Sequence, residues 1–295
     1  FIVPRKQMKV TIVGAGAIGL VLAASLDQKN ILSILVKEER CSELKDKGLW
    51  IKNKNGKRKI NAEIITELEE AELVVYAVKS YDMDEATNLI KDYNGKIIIC
   101  QNGLRMLNYN FSNKNTVYAM VTSIGAERIS PGISEFKGTG LTYIGNVNEK
   151  ESLPNDIAKL FSYEFFKVSS VHNIKDYIWC KAVINSAINP IATFYNLKNG
   201  DLIQDEYWKQ VKELLSESSK VAESEGIIFP NSPLKSARDI IEKTPRNMCS
   251  MLQDIKKERK TEIEEINGEI CRIGRKNGIQ ITLNDLYLKK INALN

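Results

Sequence analysis

The sequence predicts an α/β protein in which an N-terminal doubly wound sheet is followed by a mostly α-helical C-terminal domain. In the first half, short β-rich apolar runs alternate with helical stretches, which is the pattern of parallel βαβ units. After about residue 172, strand-like runs become scarce and apolar residues recur at spacings of three and four, which indicates helices. We therefore expect one domain over residues 8–172 and a second over residues 173–295.

The elements of the first domain follow from local patterns. Five apolar, β-rich runs are strand candidates, at residues 8–13, 31–36, 73–78, 97–100 and 117–120. Ala17–Leu26 has apolar residues at helical spacing and directly follows the first run. Asn55-Gly56 favours a tight hairpin turn, in a small excursion between the second and third strands. The glycine-rich residues 131–145 predict strands joined by turns, and residues 154–166 predict a last helix packed on the sheet.

Two apolar stripes support the helical second domain. Small or apolar residues keep one face of a first helix: Val211, Leu214, Leu215, Ser218, Val221 and Ala222. Isoleucines recur three and four residues apart on a second helix: Ile263, Ile266, Ile270 and Ile273. Such stripes lie on one side of a helix and pack against a core.

Composition favours a globular protein with a small-molecule partner. The chain has 295 residues, of which 43% are hydrophobic and 27% charged, and its formal net charge is +5; these values are ordinary for a globular domain. Its basic runs are short, and a nucleic-acid interface needs a clustered patch, so we expect no nucleic-acid partner. No run is long and apolar enough to cross a bilayer, so we expect no membrane partner.

Cysteine and histidine usage narrows the class further. Five cysteines are widely scattered, and without secretory features this predicts reduced thiols in a cytoplasmic protein. His172 is the one histidine, which leaves almost no ligand set for zinc, so we expect no metal site. Residues 1–7 do not resemble a signal peptide. We expect them to be a leader ahead of a natural start at Met8, and we exclude them from the fold.

Residues 14–19 match the Gly-x-Gly-x-x-Gly pattern of dinucleotide-binding loops. They are Gly14, Ala15, Gly16, Ala17, Ile18 and Gly19, and they join a strand candidate to an apolar helix, which is the context that the pattern requires. Gly14 permits the sharp turn, Gly16 lets the backbone approach a pyrophosphate, and Gly19 allows close packing of helix on strand. The helix N-terminus then favours the anion. We expect a Rossmann-type dinucleotide site; a glycine-rich turn without a ligand is the alternative.

The end of the second predicted strand indicates which dinucleotide binds. An acidic residue there would bind the ribose 2′-hydroxyl of NAD(H) and repel the 2′-phosphate of NADP(H). Lys37 comes first and Arg40 lies near, although Glu38 stands between them. We therefore favour NADP(H), with Lys37 as a cofactor contact. The alternative is that Lys37 is an ordinary surface lysine.

Polar residues also follow the third and fourth predicted strands. Lys79 comes directly after the third strand, and Asn102, within Gln101-Asn102-Gly103, comes after the fourth. Because the carboxyl ends of parallel strands face the ligand crevice, we expect Lys79 to meet phosphate or substrate charge. An amide there could orient the nicotinamide ribose or a substrate oxygen.

A polar stripe marks the first helix of the second domain. Lys181, Asn185 and Asn189 recur every fourth residue within otherwise apolar sequence, so they lie on one helix face. Burying such groups without partners is costly, and an anionic or carbonyl substrate would supply partners. The alternative is a stripe that forms hydrogen bonds with another helix.

Two further blocks carry a resemblance to a known family. The first runs Asn247-Met248-Cys249-Ser250-Met251-Leu252-Gln253-Asp254, and the second combines Thr261-Glu262-Ile263 with Ile266-Asn267-Gly268. Together with the glycine motif, Lys79 and Asn102, these blocks resemble the ketopantoate reductase (2-dehydropantoate 2-reductase) family over nearly the whole chain after Met8.

The resemblance implies roles for individual residues. It implies that Lys181 is the catalytic lysine and Glu262 the active-site glutamate. It also implies polar contacts to substrate or cofactor from Asn102, Asn185, Asn189, Asn199, Asn247 and Ser250. Two positions depart from the family pattern, since Lys37 stands where arginine is usual and Cys249 where serine is common.

The implied activity is the NADPH-dependent reduction of ketopantoate to pantoate, in pantothenate and coenzyme A biosynthesis. One alternative is a reductase of the same fold that acts on another small 2-oxo acid. An alternative of another class is a non-catalytic NADP-binding sensor, which would need the glycine loop but not the pair of Lys181 and Glu262. Either a monomer or a homodimer is compatible with the sequence.

Overall fold

A computed structural model of the chain describes residues 7–148, 153–161 and 166–294. It divides into two compact units, one drawn from residues up to 101 together with 110–174, the other from residues 102–109 together with 175 onward. The predicted first domain includes residues 102–109. They count with the second unit because their backbone is bonded there: the Leu104 N–H donates to the Glu265 carbonyl over 3.0 Å. The proposed leader lies almost wholly outside the described residues.

The first unit contains short strands and four helices among its described residues. The strands are β1 (Lys9–Val13), β2 (Ile31–Leu35), β3 (Trp50–Asn53), β4 (Gly56–Lys59), β5 (Glu63–Ile65), β6 (Leu73–Tyr76), β7 (Lys96–Ile99), β8 (Thr116–Thr122), β9 (Gly125–Ser130), β10 (Ile133–Gly138), β11 (Thr142–Asn146) and β12 (Val168–Ser170). The helices are α1 (Ala17–Leu26), α2 (Glu38–Lys47), α3 (Met83–Asn88) and α4 (Asn155–Phe161).

Eight of these strands form the main sheet, in the order β12-β11-β8-β7-β6-β1-β2-β5. The strands from β5 across to β8 are parallel, β11 is antiparallel to β8, and β12 is parallel to β11. The chain moves outward from β1 through β2 to β5, then restarts at β6 on the other side of β1. Strand order therefore reverses beside β1, and a doubly wound sheet binds its ligand at such a point. The predicted doubly wound sheet is confirmed.

A second, four-stranded sheet covers helix α1. Its order is β4-β3-β10-β9, with β3 and β10 parallel. Helix α1 is buried along residues 19–26, because the main sheet and this second sheet both pack against it. The Arg58 guanidinium ties β4 to the end of α1 through the buried Asp27 carboxylate, at 2.6 Å. The predicted small excursion is thus half of a sheet, since its strand β3 pairs with β10, more than 70 residues later.

Local details depart from the sequence predictions. The hairpin loop is Lys54-Asn55, with Gly56 as the first residue of β4 at φ +129°, one residue from the predicted turn. Strands β5 and β12 have three residues each, too few to show a periodicity. Helix α4 is described over Asn155–Phe161, and residues 162–165 of the predicted helix lie outside the described residues.

The second unit is helical in its described part. Its helices are α5 (Ile174–Phe194), α6 (Asp205–Ser224), α7 (Pro233–Lys243), α8 (Ser250–Lys256), α9 (Glu269–Lys276) and α10 (Thr282–Asn292). A π-helical turn, Glu264–Gly268, precedes α9. The predicted faces of α6 and of the isoleucine stripe are buried. No helix among the described residues is both long and apolar enough to cross a bilayer.

A proline inside α5 determines how the π-helical turn is held. Pro190 has no N–H, so the carbonyl four residues earlier, that of Ser186, loses its usual helical partner. The Asn267 side-chain amide donates to this Ser186 carbonyl over 2.9 Å. The same amide group donates to Asn284 Oδ1 of α10 over 3.0 Å. Asn267 is fully buried, and its two hydrogen bonds join α5, the π-helical turn and α10.

Replacing Asn267 with alanine is expected to lower the free energy of unfolding by about 1–3 kcal/mol, because it leaves the Ser186 carbonyl buried without a donor. Pro190→Ala returns an N–H to that carbonyl, so the double variant should recover part of the loss. Urea unfolding of both single variants and the double variant measures this coupling. Asn88→Ala, at an exposed position, is the control and should change stability by less than about 0.5 kcal/mol. If the losses of unfolding free energy in the two single variants simply add in the double variant, the hydrogen bond from Asn267 does not compensate for Pro190.

Candidate active site

A lysine, an amide and a carboxylate form a hydrogen-bonded chain within the second unit. Lys181 lies on α5 and is half-buried, and its Nζ donates to Oδ1 of Asn102 over 2.6 Å. Asn102 Nδ2 donates to Oε2 of Glu262 over 2.9 Å. An amide can do both because it carries an acceptor and a donor on the same planar group. The sequence singled out all three residues, and the structure brings them together.

The charges of Lys181 and Glu262 compensate each other across the Asn102 amide. Glu262 is 5% exposed, and a buried carboxylate is costly unless it has hydrogen-bond donors and a nearby positive charge. Asn102 supplies a donor, and Lys181 supplies the positive charge one amide group away. The arrangement holds an ammonium group in a defined position, where it can stabilise a developing negative charge or donate a proton.

Glycine 103 allows the Asn102 side chain to reach both partners. Gly103 has φ +82°, and a Cβ atom there would lie 2.3 Å from the Glu265 carbonyl oxygen. The same carbonyl accepts the Leu104 N–H. A π-helical turn contains an extra residue, and here the segment after Asn102 packs directly against its backbone. Asn267 holds the other side of this turn to α5, so both partners of Asn102 are anchored to one framework.

The rest of the predicted polar stripe continues along α5. Asn185 is half-buried and Asn189 is 5% exposed. Near Asn189, the Cys249 thiol donates to the Asn189 carbonyl over 3.7 Å. The same sulfur accepts the Leu252 N–H over 3.4 Å and so caps α8. Ser250, the first residue of α8, is exposed; the sulfur of Cys249 therefore fixes the start of α8 near the stripe.

Asn199 and Asn247 belong to a separate hydrogen-bonded group. Asn199 Nδ2 donates to Thr244 Oγ1 over 2.8 Å, and its backbone N–H donates to the Asn247 carbonyl over 2.9 Å. Among the described residues, Oδ1 of Asn199 is buried and has no hydrogen-bond partner. Asn247 is exposed. Asn199 thus has a structural role, since both its amide nitrogen and its backbone N–H bond to neighbouring residues of the second unit.

The glycine loop of the first unit has the geometry that a dinucleotide needs. Gly14 has φ +106°, and its N–H donates to the Leu35 carbonyl at the end of β2 over 3.0 Å. A Cβ at Gly19 would lie 2.2 Å from the Gly14 carbonyl oxygen, so helix and loop touch there. Gly16 is the N-cap of α1, and no side chain caps that end. The first N–H groups of α1 are therefore suited to an anion, and the residues present fit a pyrophosphate.

Lys37 and Lys79 both stand at helix starts in the first unit. Lys37 precedes α2, and its Nζ lies 2.6 Å from Glu85 Oε2. The hydrogen bond that Lys37 donates to Glu85 raises the pKa of Lys37 above its usual value. Lys79 precedes a 3₁₀ turn, Ser80–Asp82. Glu85 could not be predicted from the sequence, because no local pattern links residues 48 positions apart.

Glu265 is a second residue that sequence patterns do not predict. It is 4% exposed, and its Oε2 is buried without a hydrogen-bond partner among the described residues. Burial raises the pKa of this carboxyl above its usual range, and the neighbouring Glu262 carboxylate raises it further. The adjacent isoleucines predict an ordinary amphipathic helix here. No helical pattern signals the π-helical turn, which contains this residue.

Known proteins are similar to this chain along nearly its whole length. The sequence model described as Ketopantoate reductase PanE/ApbA matches residues 10–149, and that of the Ketopantoate reductase PanE/ApbA C terminal matches residues 173–295. The chain is 30% identical to the 2-dehydropantoate 2-reductase of Pyrococcus abyssi, over 94% of each chain. It is 29% identical to that of Pyrococcus horikoshii, over 97% of each. The chain belongs to the ketopantoate reductase family.

Solved structures share the fold of this ketopantoate reductase family member. A PanE/ApbA family ketopantoate reductase from Ralstonia eutropha superposes with a TM-score of 0.88 at 24% identity, over 97% of this chain and 98% of that one. D-mandelate dehydrogenase in its ternary structure with NADH and anilino(oxo)acetate gives a TM-score of 0.90 at 24% identity, with the same coverage. At these identities the likeness establishes the fold alone.

Glu265→Gln is expected to make the protein more stable at neutral pH than the parent chain. The folded pKa of Glu265 is raised, so the wild-type carboxyl favours folding when protonated and loses that contribution as pH rises above its ordinary value near 4.5. The difference in unfolding free energy between variant and wild type should therefore grow as pH rises from about 4 toward neutral, and urea unfolding across this range measures it. Glu264→Gln, at the exposed neighbouring position, is the control; an equal trend there would remove burial as the cause.

Proposed function

We propose that this ketopantoate reductase family member reduces the C2 carbonyl of ketopantoate to the hydroxyl of pantoate with NADPH. The step belongs to pantothenate and coenzyme A biosynthesis. The observation that carries the proposal is the hydrogen-bonded series of Lys181, Asn102 and Glu262 within the second unit. It is supported by the relatives that bear the name 2-dehydropantoate 2-reductase along nearly their whole length.

The proposed chemistry assigns charge and proton transfer to Lys181. NADPH supplies the hydride when bound. As negative charge develops on the C2 oxygen, the Lys181 ammonium stabilises it and donates the proton that completes the hydroxyl. Asn102 orients the ammonium, and Glu262 holds Asn102 and balances the charge. The neutral amine then regains a proton from solvent.

The remaining polar residues are proposed to hold substrate and cofactor. Asn185, Asn189, Asn199, Asn247 and Ser250 would bind the substrate carboxylate and hydroxyl. Residues 14–19 would hold the pyrophosphate on the N-terminus of α1. Lys37 and Lys79 would meet phosphate groups, which favours NADP(H).

A different 2-oxo acid is the second candidate substrate. A structure with a TM-score of 0.90 to this one is D-mandelate dehydrogenase bound to NADH and anilino(oxo)acetate, so the same fold accommodates an aromatic oxo acid. The family likeness to curated 2-dehydropantoate 2-reductases favours ketopantoate. The dimeric ketopantoate reductase of Staphylococcus aureus shares the fold, and either a monomer or a homodimer fits the proposal. The free, buried thiols of all five cysteines fit a cytoplasmic location.

The test of the proposed function is NADPH oxidation with ketopantoate, 3-methyl-2-oxobutanoate and phenylglyoxylate. Ketopantoate should give the highest kcat/KM. Lys181→Ala should retain NADPH binding and lose about 10²–10⁴-fold in kcat, the usual contribution of a positioned general acid. Lys175→Ala, on the same helix, is the control and should retain normal turnover. Near-normal turnover of Lys181→Ala would remove this lysine from the mechanism.

Gly16→Val is expected to abolish dinucleotide binding in a folded protein. A Cβ at Gly16 meets nothing closer than 3.7 Å, so the chain itself tolerates a side chain there, whereas a bound pyrophosphate would not. We expect NADPH affinity to fall more than about tenfold, a change of about 1.4 kcal/mol. Gly138→Val, where a Cβ would meet open space, is the control. Calorimetric titration with NADPH measures both, and unchanged affinity of Gly16→Val would refute the dinucleotide site.

A further inference from the structure

The ammonium group proposed to meet the cofactor phosphate already has a carboxylate partner. Lys37 follows β2, and its Nζ contacts Oε2 of Glu85 in the first turn of α3 at 2.6 Å. Both side chains are accessible, at 39% exposure for Lys37 and 58% for Glu85. The end of the second strand is where a dinucleotide fold distinguishes a ribose 2′-hydroxyl from a 2′-phosphate. Glu85 is therefore paired with Lys37 at the position where such a fold distinguishes NADPH from NADH.

Other acidic groups strengthen the negative field around Lys37. The hydrogen bond to Glu85 raises the pKa of Lys37 most, and the carboxylates of Asp82 and Glu39 raise it further. Glu38 and Glu39 stand in the first turn of α2, and Arg40 brings a positive charge nearby. A phosphate monoester carries a charge of about −1.5 to −2 at pH 7. A 2′-phosphate bound to Lys37 would face the Glu85 carboxylate, which already forms an ion pair with the same ammonium group.

We propose that Glu85 determines how strongly this protein prefers NADPH over NADH, by competing with the 2′-phosphate for Lys37. The inference rests on the proposed dinucleotide function, but that function does not require Glu85. When NADPH binds, the Glu85 carboxylate must leave Lys37 or remain close to a phosphate of like charge. When NADH binds, the ribose presents a hydroxyl, and the bond from Lys37 to Glu85 is retained. Wild-type protein therefore binds NADPH less tightly than Lys37 alone would allow.

The size of the effect follows from the exposure of the pair. An exposed ion pair contributes little to stability, so removing Glu85 leaves the fold intact. A phosphate within about 5 Å of a carboxylate is repelled, even in water, by an energy that corresponds to about tenfold in affinity. Salt weakens such an exposed interaction. We therefore expect about a tenfold effect at low salt that shrinks as salt is added.

The experiment measures binding without turnover, by calorimetric titration of wild type, Glu85→Gln and Lys37→Gln. The ligands are NADPH and NADH, together with adenosine 2′,5′-bisphosphate and adenosine 5′-monophosphate as fragments that differ only in the 2′-phosphate. Glu43→Gln is the matched control, because Glu43 is a carboxylate that pairs with another exposed lysine, Lys47. Circular dichroism and thermal unfolding confirm that each variant is folded.

Glu85→Gln should bind NADPH and the bisphosphate about tenfold more tightly, with NADH and the monophosphate changed less than about twofold. Lys37→Gln should weaken the two 2′-phosphorylated ligands selectively. An unchanged ratio of NADPH to NADH affinity in Glu85→Gln overturns the proposal, as does an equal gain in Glu43→Gln. Unchanged bisphosphate affinity in Lys37→Gln also overturns it. Failure of the wild type to bind either dinucleotide would instead refute the proposed function.

Discussion

The hydrogen bond from Asn267 to the Ser186 carbonyl is the interaction on which the candidate active site depends. Pro190 creates the need for it by removing the N–H that would otherwise bond that carbonyl. One buried amide thereby attaches the π-helical turn to the helix that carries Lys181. The other side of the turn presents the Glu265 carbonyl to the segment after Asn102. Helix α5, the turn and this segment are thus fixed against one another before any ligand binds.

This framework explains how a charged network can be buried. Glu262 is nearly inaccessible, and the Asn102 donor and the nearby Lys181 charge offset part of the cost of burying its carboxylate. A long lysine side chain loses conformational freedom when it is held, and the rigid helix and turn limit the further cost of positioning it. Preorganised groups of this kind stabilise a developing charge without reorganising during the reaction. Stability of the second unit and the proposed chemistry therefore depend on the same contacts.

Features with a local cause could be predicted from the sequence, and features that depend on tertiary contacts could not. The turn at Gly14 and the helix from Ala17 to Leu26 are encoded within a few residues, and the structure places them as predicted. Lys181, Asn102 and Glu262 were identified by resemblance, but their hydrogen-bonded order was not predictable, because Asn102 is 79 residues from Lys181 and 160 from Glu262. The π-helical turn escaped prediction because isoleucine spacing fits an ordinary helix equally well. The burial of Glu265, which lies in this turn, could not be predicted for the same reason.

The two charged sites of this ketopantoate reductase family member differ in how freely they can change. Lys37 and Glu85 form an exposed pair, worth about 0–1 kcal/mol, so either can be replaced with little effect on folding. Replacing one of Lys181, Asn102 and Glu262 has a larger effect, because the buried Glu262 carboxylate then loses a hydrogen-bond donor or the nearby positive charge. Folding therefore restricts these three residues more than it restricts Lys37 and Glu85. The residue proposed to set cofactor preference can change by a single surface substitution, whereas the groups proposed for proton transfer depend on one another.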